Sequence, residues 1–228
     1  MPKLTANPEH IYAALDALYQ PDDVIELRAL GMGDRGYPRI DNGYFNDADA
    51  VVEAAVTASS WAHGVYVTLN PLAPSLLARK ANRFSTAGKG EGAKDHEVVR
   101  LRWLPVDIDP VRPSGISSTR QEHRDALSLA AEIGRVLEDM GFPEPLYGDS
   151  GNGAHLLVPI DLDPGESPLV KGFLQGLAFR FDTEALKVDT SVANPARIWK
   201  LYGTLARKGD NCPERPHRMA KLLQGGRP

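Results

Sequence analysis

Cysteine is nearly absent from this chain of 228 residues: Cys212 stands alone. That excludes an internal disulfide and a cysteine-built structural zinc site. Long apolar runs are missing too, and none approaches the roughly 18 residues that suggest a membrane span. The opening residues Met1 to Asn7 lack the apolar core of a signal peptide. Together these absences lead us to expect a cytoplasmic protein with no membrane contact. Basic charge is not in excess, since the formal net charge is −4. A protein that coats nucleic acid with its whole surface is thereby excluded, and any such contact must come from local patches. With 42% hydrophobic and 25% charged residues, the chain reads as soluble and globular, one large domain or two small modules. No internal repeat is visible.

Periodicity and capping residues outline the elements. Asn7 can cap a helix over Pro8–Tyr19, with Ile11, Ala14, Leu15 and Leu18 on one face. Val24–Leu30 reads as a strand, broken by Gly31 to Gly36. Asp47–Ser59 reads as a helix, Val65–Leu69 as a strand closed by Asn70-Pro71, and Pro74–Arg83 as a shorter helix. Ser85–Asp95, with Gly88, Lys89, Gly90 and Gly92, reads as a mobile connector. It lacks the spacing and the Lys-Ser/Thr pair of a P-loop. Ser118 or Thr119 can cap a long helix that ends near Met140, and Glu122 three residues beyond Thr119 fits a capping box. Pro145–Asp149 and Ala154–Ile160 are short strands joined at Gly151-Asn152-Gly153. A helix over Leu169–Phe181 and strands at Lys187–Asp189 and Ile198–Tyr202 follow. The second half thus runs β-α-β-β-α-β, a ferredoxin-like order. The first half shows no clear topology.

The run Leu101–Val106 leads into Asp107-Ile108-Asp109-Pro110. On a strand, residues i and i+2 share a face, so both carboxylates project together. Like charges that close repel unless a cation lies between them. Hard Mg²⁺ or Mn²⁺ suits carboxylate oxygen, which points to metal-assisted phosphoryl chemistry. Two solvated acids in a turn before Pro110 are the alternative.

Two further segments belong with this pair. In Ser150-Gly151-Asn152-Gly153-Ala154-His155 the glycines would leave backbone N–H groups open in a concave turn, a cradle for anionic oxygens. Ser150 adds a hydroxyl, and His155 could reach a triphosphate or be an ordinary core or surface histidine. In the second segment, Asp189 begins the fourth strand of the ferredoxin-like order. It could meet Asp107 and Asp109 across the sheet, or simply cap a turn. Arg197 and Lys200 follow as phosphate-binding cations.

The set Val-Asp-Ile-Asp-Pro (106–110), Asp-Ser-Gly-Asn-Gly-Ala-His (149–155) and Val-Asp-Thr-Ser-Val-Ala-Asn-Pro-Ala-Arg-Ile (188–198) strongly resembles the archaeo-eukaryotic primase superfamily. More narrowly, it is similar to the primase-polymerase domains of phages, plasmids and other mobile elements. The likeness extends through Lys200, Gly203-Thr204, Lys208 and Arg215–Arg218, and upstream to Tyr66–Pro71. Residues 1–62 match only in outline. The resemblance implies an α/β (α+β) fold. An RRM-like, ferredoxin-like catalytic module (97–228) would pack with an N-terminal α/β module (1–96), with the active site in the cleft between them. It further implies that Asp107, Asp109 and Asp189 carry two Mg²⁺ or Mn²⁺ ions. Ser150, Gly151, Asn152, Gly153, His155, Arg197, Lys200 and Lys208 would face the incoming NTP or dNTP. The implied partners are a single-stranded DNA template, a primer-template and, in cis or trans, a helicase. Some relatives carry a zinc-binding insert, which Cys212 alone cannot build.

Candidates for DNA contact are Asn70, Arg79, Lys80, Arg83, Lys89, Arg100, Arg102 and Arg218. Arg197, Lys200, Arg207, Lys208, Arg215, Lys221 and Arg227 add to them a basic C-terminal stretch, or an ordinary solvated tail. Trp103 and Tyr66 read as core residues. Two other functions fit parts of the pattern. A non-catalytic replication-initiator module would keep the fold and bind DNA. A glycosyltransferase would use an Asp-x-Asp pair to hold a sugar nucleotide, but would not need Ser150–His155 with Asp189 and Arg197.

Overall fold

The computed structural model describes residues 4–33, 36–88 and 90–223. Asp34, Arg35, Lys89 and Arg227 therefore lie outside the described residues. The chain forms a mixed α/β fold with two five-stranded antiparallel sheets.

The first sheet follows directly from amphipathic elements. Asn7 caps α1 (Pro8–Leu18), and its side chain accepts from the His10 N–H. Asp47 caps α2 (Ala48–Ser59) in the same way, through the Ala50 N–H. The strands are β1 (Ile25–Met32), β2 (Pro38–Phe45), β3 (Gly64–Thr68) and β4 (Ser85–Thr86). Leu27, Ala29, Val65 and Val67 are fully buried, and α2 packs on β1 and β3. Residues two apart on these strands share a face. Leu30 and Tyr66 therefore look away from that core, toward the second sheet.

The second sheet carries the ferredoxin-like order. Its elements are β5 (Leu101–Pro110), α3 (Arg120–Asp139), β6 (Leu146–Asp149), β7 (Ala154–Leu162), α4 (Ser167–Phe181) and β8 (Leu186–Val188). They pair as β6-β7-β5-β8, with β5 and β7 central and β8 at an edge. The Thr119–Glu122 capping box starts α3 as its sequence indicates. Leu104, Val106 and Ile108 of β5 are buried, and α3 and α4 both pack against this strand. The alternate residues Asp107 and Asp109 emerge on the opposite face.

Several expectations change. A second long strand, β2, follows the glycine break of the first half. Pro74–Arg79 is a 3₁₀ turn rather than a helix reaching Arg83. Part of the glycine-rich connector, Ser85–Thr86, is a strand on β2. Asp189 lies just after the fourth strand rather than at its start, where it caps the 3₁₀ turn Thr190–Ala193. The strand β9 (Ile198–Lys200) leaves the second sheet and pairs with β3 of the first. Short strands β10 (Leu205–Ala206) and β11 (Arg218–Met219) pair with each other, and β12 (Lys221–Leu223) extends the second sheet beyond β6. The buried apolar side chains of both sheets form one contiguous cluster. Among the described residues, no helix is long and apolar enough to cross a membrane.

Candidate active site

Register fixes the centre of the site. Asp107 of β5 stands directly opposite His155 of β7, and His155 opposite Gly148 of β6. On the other side of β5, the Asp189 N–H donates to the Asp107 carbonyl at 2.8 Å. Gly148, His155, Asp107 and Asp189 thus form one row across the sheet. Asp109 stands two residues along the same strand face. Segments far apart in the chain meet because antiparallel pairing aligns them.

His155, Asp107 and Asp189 of this row form part of the wall of a cavity of ≈ 260 Å³ between the two sheets. Asp107, Asp109 and Asp189 line it together with Ser150, Asn152, His155, Arg197, Lys200 and Lys208. The first sheet closes it with Leu30 and Tyr66, and β9 adds Ile198 and Trp199. A larger cavity of ≈ 440 Å³ lies beside α1 and the start of α2. It is lined by Tyr12, Tyr19, Phe45 and several aspartates. Among the described residues no lysine, arginine or histidine lines it, so acid and base do not meet there.

Electrostatics are uneven inside the smaller cavity. Burial and the neighbouring Asp109 and Asp189 carboxylates hold the Asp107 carboxyl well above its usual range, against an opposite pull from Lys208 and Arg197. Asp109 Oδ1 faces Arg112 Nη1 at 3.4 Å, and Asp189 Oδ1 accepts from the Ser191 N–H at 2.8 Å. Among the described residues, no group of three His, Cys, Asp or Glu side chains forms a ready ligand set for one metal ion. The donor set still fits a hard cation in chemistry and charge, because all its ligands are carboxylates and they repel one another. Loading such an ion requires these side chains to turn, whereas the backbones of Asp107 and Asp189 are already bonded.

The same cavity also holds hydrogen-bond donors. Arg197 binds Ser191 through Nη2, while its Nε is buried with no hydrogen-bond partner among the described residues. An orphaned guanidinium donor at a cavity wall is suited to an anionic ligand. His155 Nε2 lies 3.6 Å from Asp107 Oδ1. Burial, with Lys200 nearby, pulls the imidazole down to about 3, so it is neutral at ordinary pH. Lys208 is exposed at the rim. Lys200 is buried, and its ammonium reaches Leu205 O (2.8 Å), Thr204 Oγ1 (3.0 Å) and Val65 O (3.4 Å). Its three N–H groups thus tie the 204–205 segment to β3, and burial then the cations Lys208 and Arg207 pull it down to about 7.

The 150–153 turn departs from the expected open cradle. Gly151 N–H donates to Asp149 Oδ1 (2.6 Å), and Ser150 Oγ accepts from Gly153 N–H (2.8 Å) and Asn152 N–H (3.3 Å). These backbone donors face inward, so the side chains of Ser150 and Asn152 are what the turn can offer to the cavity. Asp149 is itself held by His123 Nε2 (2.8 Å), and Asn152 Oδ1 accepts from the Ser118 N–H (2.9 Å). Gly153 is required by close approach, since a Cβ there would run into the Ile108 carbonyl oxygen. Gly153→Ala should therefore lower stability by about 1–3 kcal/mol, a range set by overpacking. The urea midpoint checks it, with the m-value unchanged.

Most candidates for DNA contact have other partners. Arg79 pairs with Glu97, Arg102 with Asp23, and Arg100 with Asp161 and Asp163. Lys80 pairs with Glu91. Arg218 donates to the Ser118 and Gly151 carbonyls, bracing the turn from below. Buried Asn70 joins Pro195 O to the Arg102 N–H. The Arg83 side chain is exposed. Trp103 is half-buried and donates to Leu18 O (3.3 Å), whereas Tyr66, expected in the core, faces the cavity. Sequence reasoning gave no role to Trp199, Tyr202 or His123, which back the site. Gly148 and the indole next to Lys200 were the available signals.

No family model matches the chain, and no curated protein matches it. Among solved structures, the chain is similar to the polymerase domain from Mycobacterium tuberculosis Ligase D in complex with DNA, with 15% sequence identity and a TM-score of 0.45, over 91% of this chain and 78% of that one.

Proposed function

We propose that this protein is a template-directed nucleotidyltransferase, a DNA primase, a DNA polymerase or both, that adds NTPs or dNTPs on a DNA template. One observation carries the reading: a single cavity is lined both by three aspartates and by Arg197, His155, Ser150 and Lys208. That combination matches a metal–triphosphate complex, cationic at one end and anionic along its length. Asp107, Asp109 and Asp189 would hold Mg²⁺ or Mn²⁺. Bound there, divalent ions would make a 3′-hydroxyl more acidic and would offset charge on the leaving pyrophosphate.

The chain's own residues supply binding and orientation. The buried Arg197 Nε–H has no partner of its own, so a phosphate oxygen would satisfy it. Neutral His155 can give one hydrogen bond to a second oxygen, and Ser150 another. Lys208 at the rim adds a point charge. Tyr66 and Leu30 form the far wall, against which a base or sugar can rest. In this reading the two sheets act as one catalytic unit, with template and primer entering between them.

A non-catalytic DNA-binding initiator module is favoured by one observation, the absence of a ready three-ligand metal group among the described residues. Labelled NTPs and dNTPs supplied with single-stranded templates, with and without primer, in Mg²⁺ and in Mn²⁺, distinguish the two. Metal-dependent incorporation directed by template sequence is the expected result. DNA binding with no incorporation under any of these conditions selects the initiator module.

A further inference from the structure

Behind the cavity, three side chains form a hydrogen-bonded chain that ends on His155. Trp199 Nε1 lies 3.1 Å from Tyr202 Oη, and Tyr202 Oη lies 3.0 Å from His155 Nδ1. All three residues are buried, with Tyr202 at 0% exposure. The indole ring also lies against the imidazole, with centroids 4.1 Å apart. On its other side His155 presents Nε2 toward Asp107 and the cavity.

We propose that Tyr202, backed by Trp199, is a positioning residue that fixes His155 as an Nε2–H donor aimed into the cavity. Donor and acceptor capacities give the direction of each bond. Indole nitrogen can only donate, so Tyr202 Oη accepts from Trp199. The phenol then has one proton to place. Among the described residues its oxygen makes these two contacts and no other. The proton therefore goes to His155 Nδ1. A neutral imidazole with an accepting Nδ1 carries its proton on Nε2. In the reverse tautomer His155 would donate to Tyr202, and the buried phenolic proton would have no acceptor. An unmet buried hydroxyl disfavours that state by roughly ten- to hundred-fold in population. Burial holds the Tyr202 hydroxyl well above its usual range, so it keeps the proton it donates.

The backbone is shaped for this chain. Gly148 stands opposite His155 in the strand register. A Cβ at Gly148 would run into Tyr202 Oη, so the missing side chain makes room for the phenol. The consequence for catalysis rests on the nucleotidyltransferase reading: a fixed Nε2–H would reach a phosphate oxygen, whereas a bare Nε2 lone pair would repel it.

The test reads the tautomer directly. In NMR of the protein carrying nitrogen-labelled histidine, the His155 signals are those lost in His155→Gln. Wild type is expected to show a protonated Nε2 and a bare Nδ1. Tyr202→Phe removes the donor, and Gly148→Ala displaces it while keeping the tyrosine; both should move the proton to Nδ1 or mix the tautomers. The same variants should weaken binding of inorganic tripolyphosphate by about tenfold, with KM for dNTP rising more than kcat falls. A wild-type spectrum with Nδ1 protonated overturns the proposal, as does an unchanged His155 spectrum in Tyr202→Phe. If neither replacement folds, the wild-type spectrum alone decides. A protonated Nε2 in a protein that incorporates no nucleotide removes the enzymatic reading and leaves this hydrogen-bonded chain standing.

Discussion

Asp107→Ala and Asp109→Ala should each lower template-directed nucleotide incorporation by at least roughly 10²–10³-fold, the scale for removing an electrostatic catalytic group. Asp107 occupies the middle of the row, flanked by His155 and Asp189 through strand pairing. Asp109 is the second acid on the same strand face and shares the cavity. Both side chains point into that space rather than into the core, so neither replacement opens a packing defect. The variants should melt no lower than wild type, which separates lost chemistry from lost fold. His155→Ala should behave differently, raising KM for dNTP more than it lowers kcat, because in the proposed reading the imidazole would touch the ligand's phosphates in ground and transition states alike. Primed-template extension with each variant checks all three. Unchanged extension by Asp107→Ala or Asp109→Ala would remove the carboxylates from the mechanism.

What the sequence disclosed about this site was its alternation and its order. Asp-x-Asp after an apolar run placed two carboxylates on one strand face. The β-α-β-β-α-β order placed Asp189 beside the strand that carries them. Helices were legible through local signals that tertiary contacts do not override: Asn7 as a cap, and Thr119 with Glu122 as a capping box. The strand β2 escaped because Asp41 and Asn42 interrupt its apolar pattern. Both are buried, Asp41 paired with Arg39, and Asn42 bonded to Glu26 and Lys80. Buried polar residues satisfied by other side chains look like loop when only the apolar pattern is read. The crossing of β9 into the first sheet escaped for a related reason: a three-residue strand carries no mark of its partner.

The same limit explains the 150–153 turn and the arginines. Glycine content suggested open backbone donors, yet Asp149 and Ser150 supply acceptors within the turn itself. Arg100 and Arg102 suggested DNA contact, yet Asp161, Asp163 and Asp23 fold onto them from 61 or more positions away. A cation's availability depends on its neighbours in space.

Asp107→Asn should stabilise the metal-free protein while abolishing its chemistry. The amide keeps the shape of the side chain and removes a charge that burial and two neighbouring carboxylates oppose. The gain at neutral pH should be about 0.5–2 kcal/mol, the range common to single stabilising substitutions. For a chain of this length that corresponds to roughly 2–4 °C in Tm for each kcal/mol. The pH dependence has a definite sign. An unfolded aspartate loses its proton near about 3.9, whereas folded Asp107 holds its proton to a higher pH. Between those values the folded state binds more protons, so wild-type stability falls as pH rises. Below the unfolded value this contribution vanishes, and above the folded value the penalty is complete. Asp107→Asn should lack this fall and melt above wild type across and beyond the window. Mn²⁺ should narrow the difference by raising the wild-type Tm, since an ion that binds only the folded state stabilises it. Thermal melts in chelator and in Mn²⁺, from acid to neutral pH, measure both effects. Coincident melting curves for the two proteins at neutral pH in chelator would mean that the carboxylates do not repel one another. In that case the attraction of this cavity for a divalent cation would lose its physical basis.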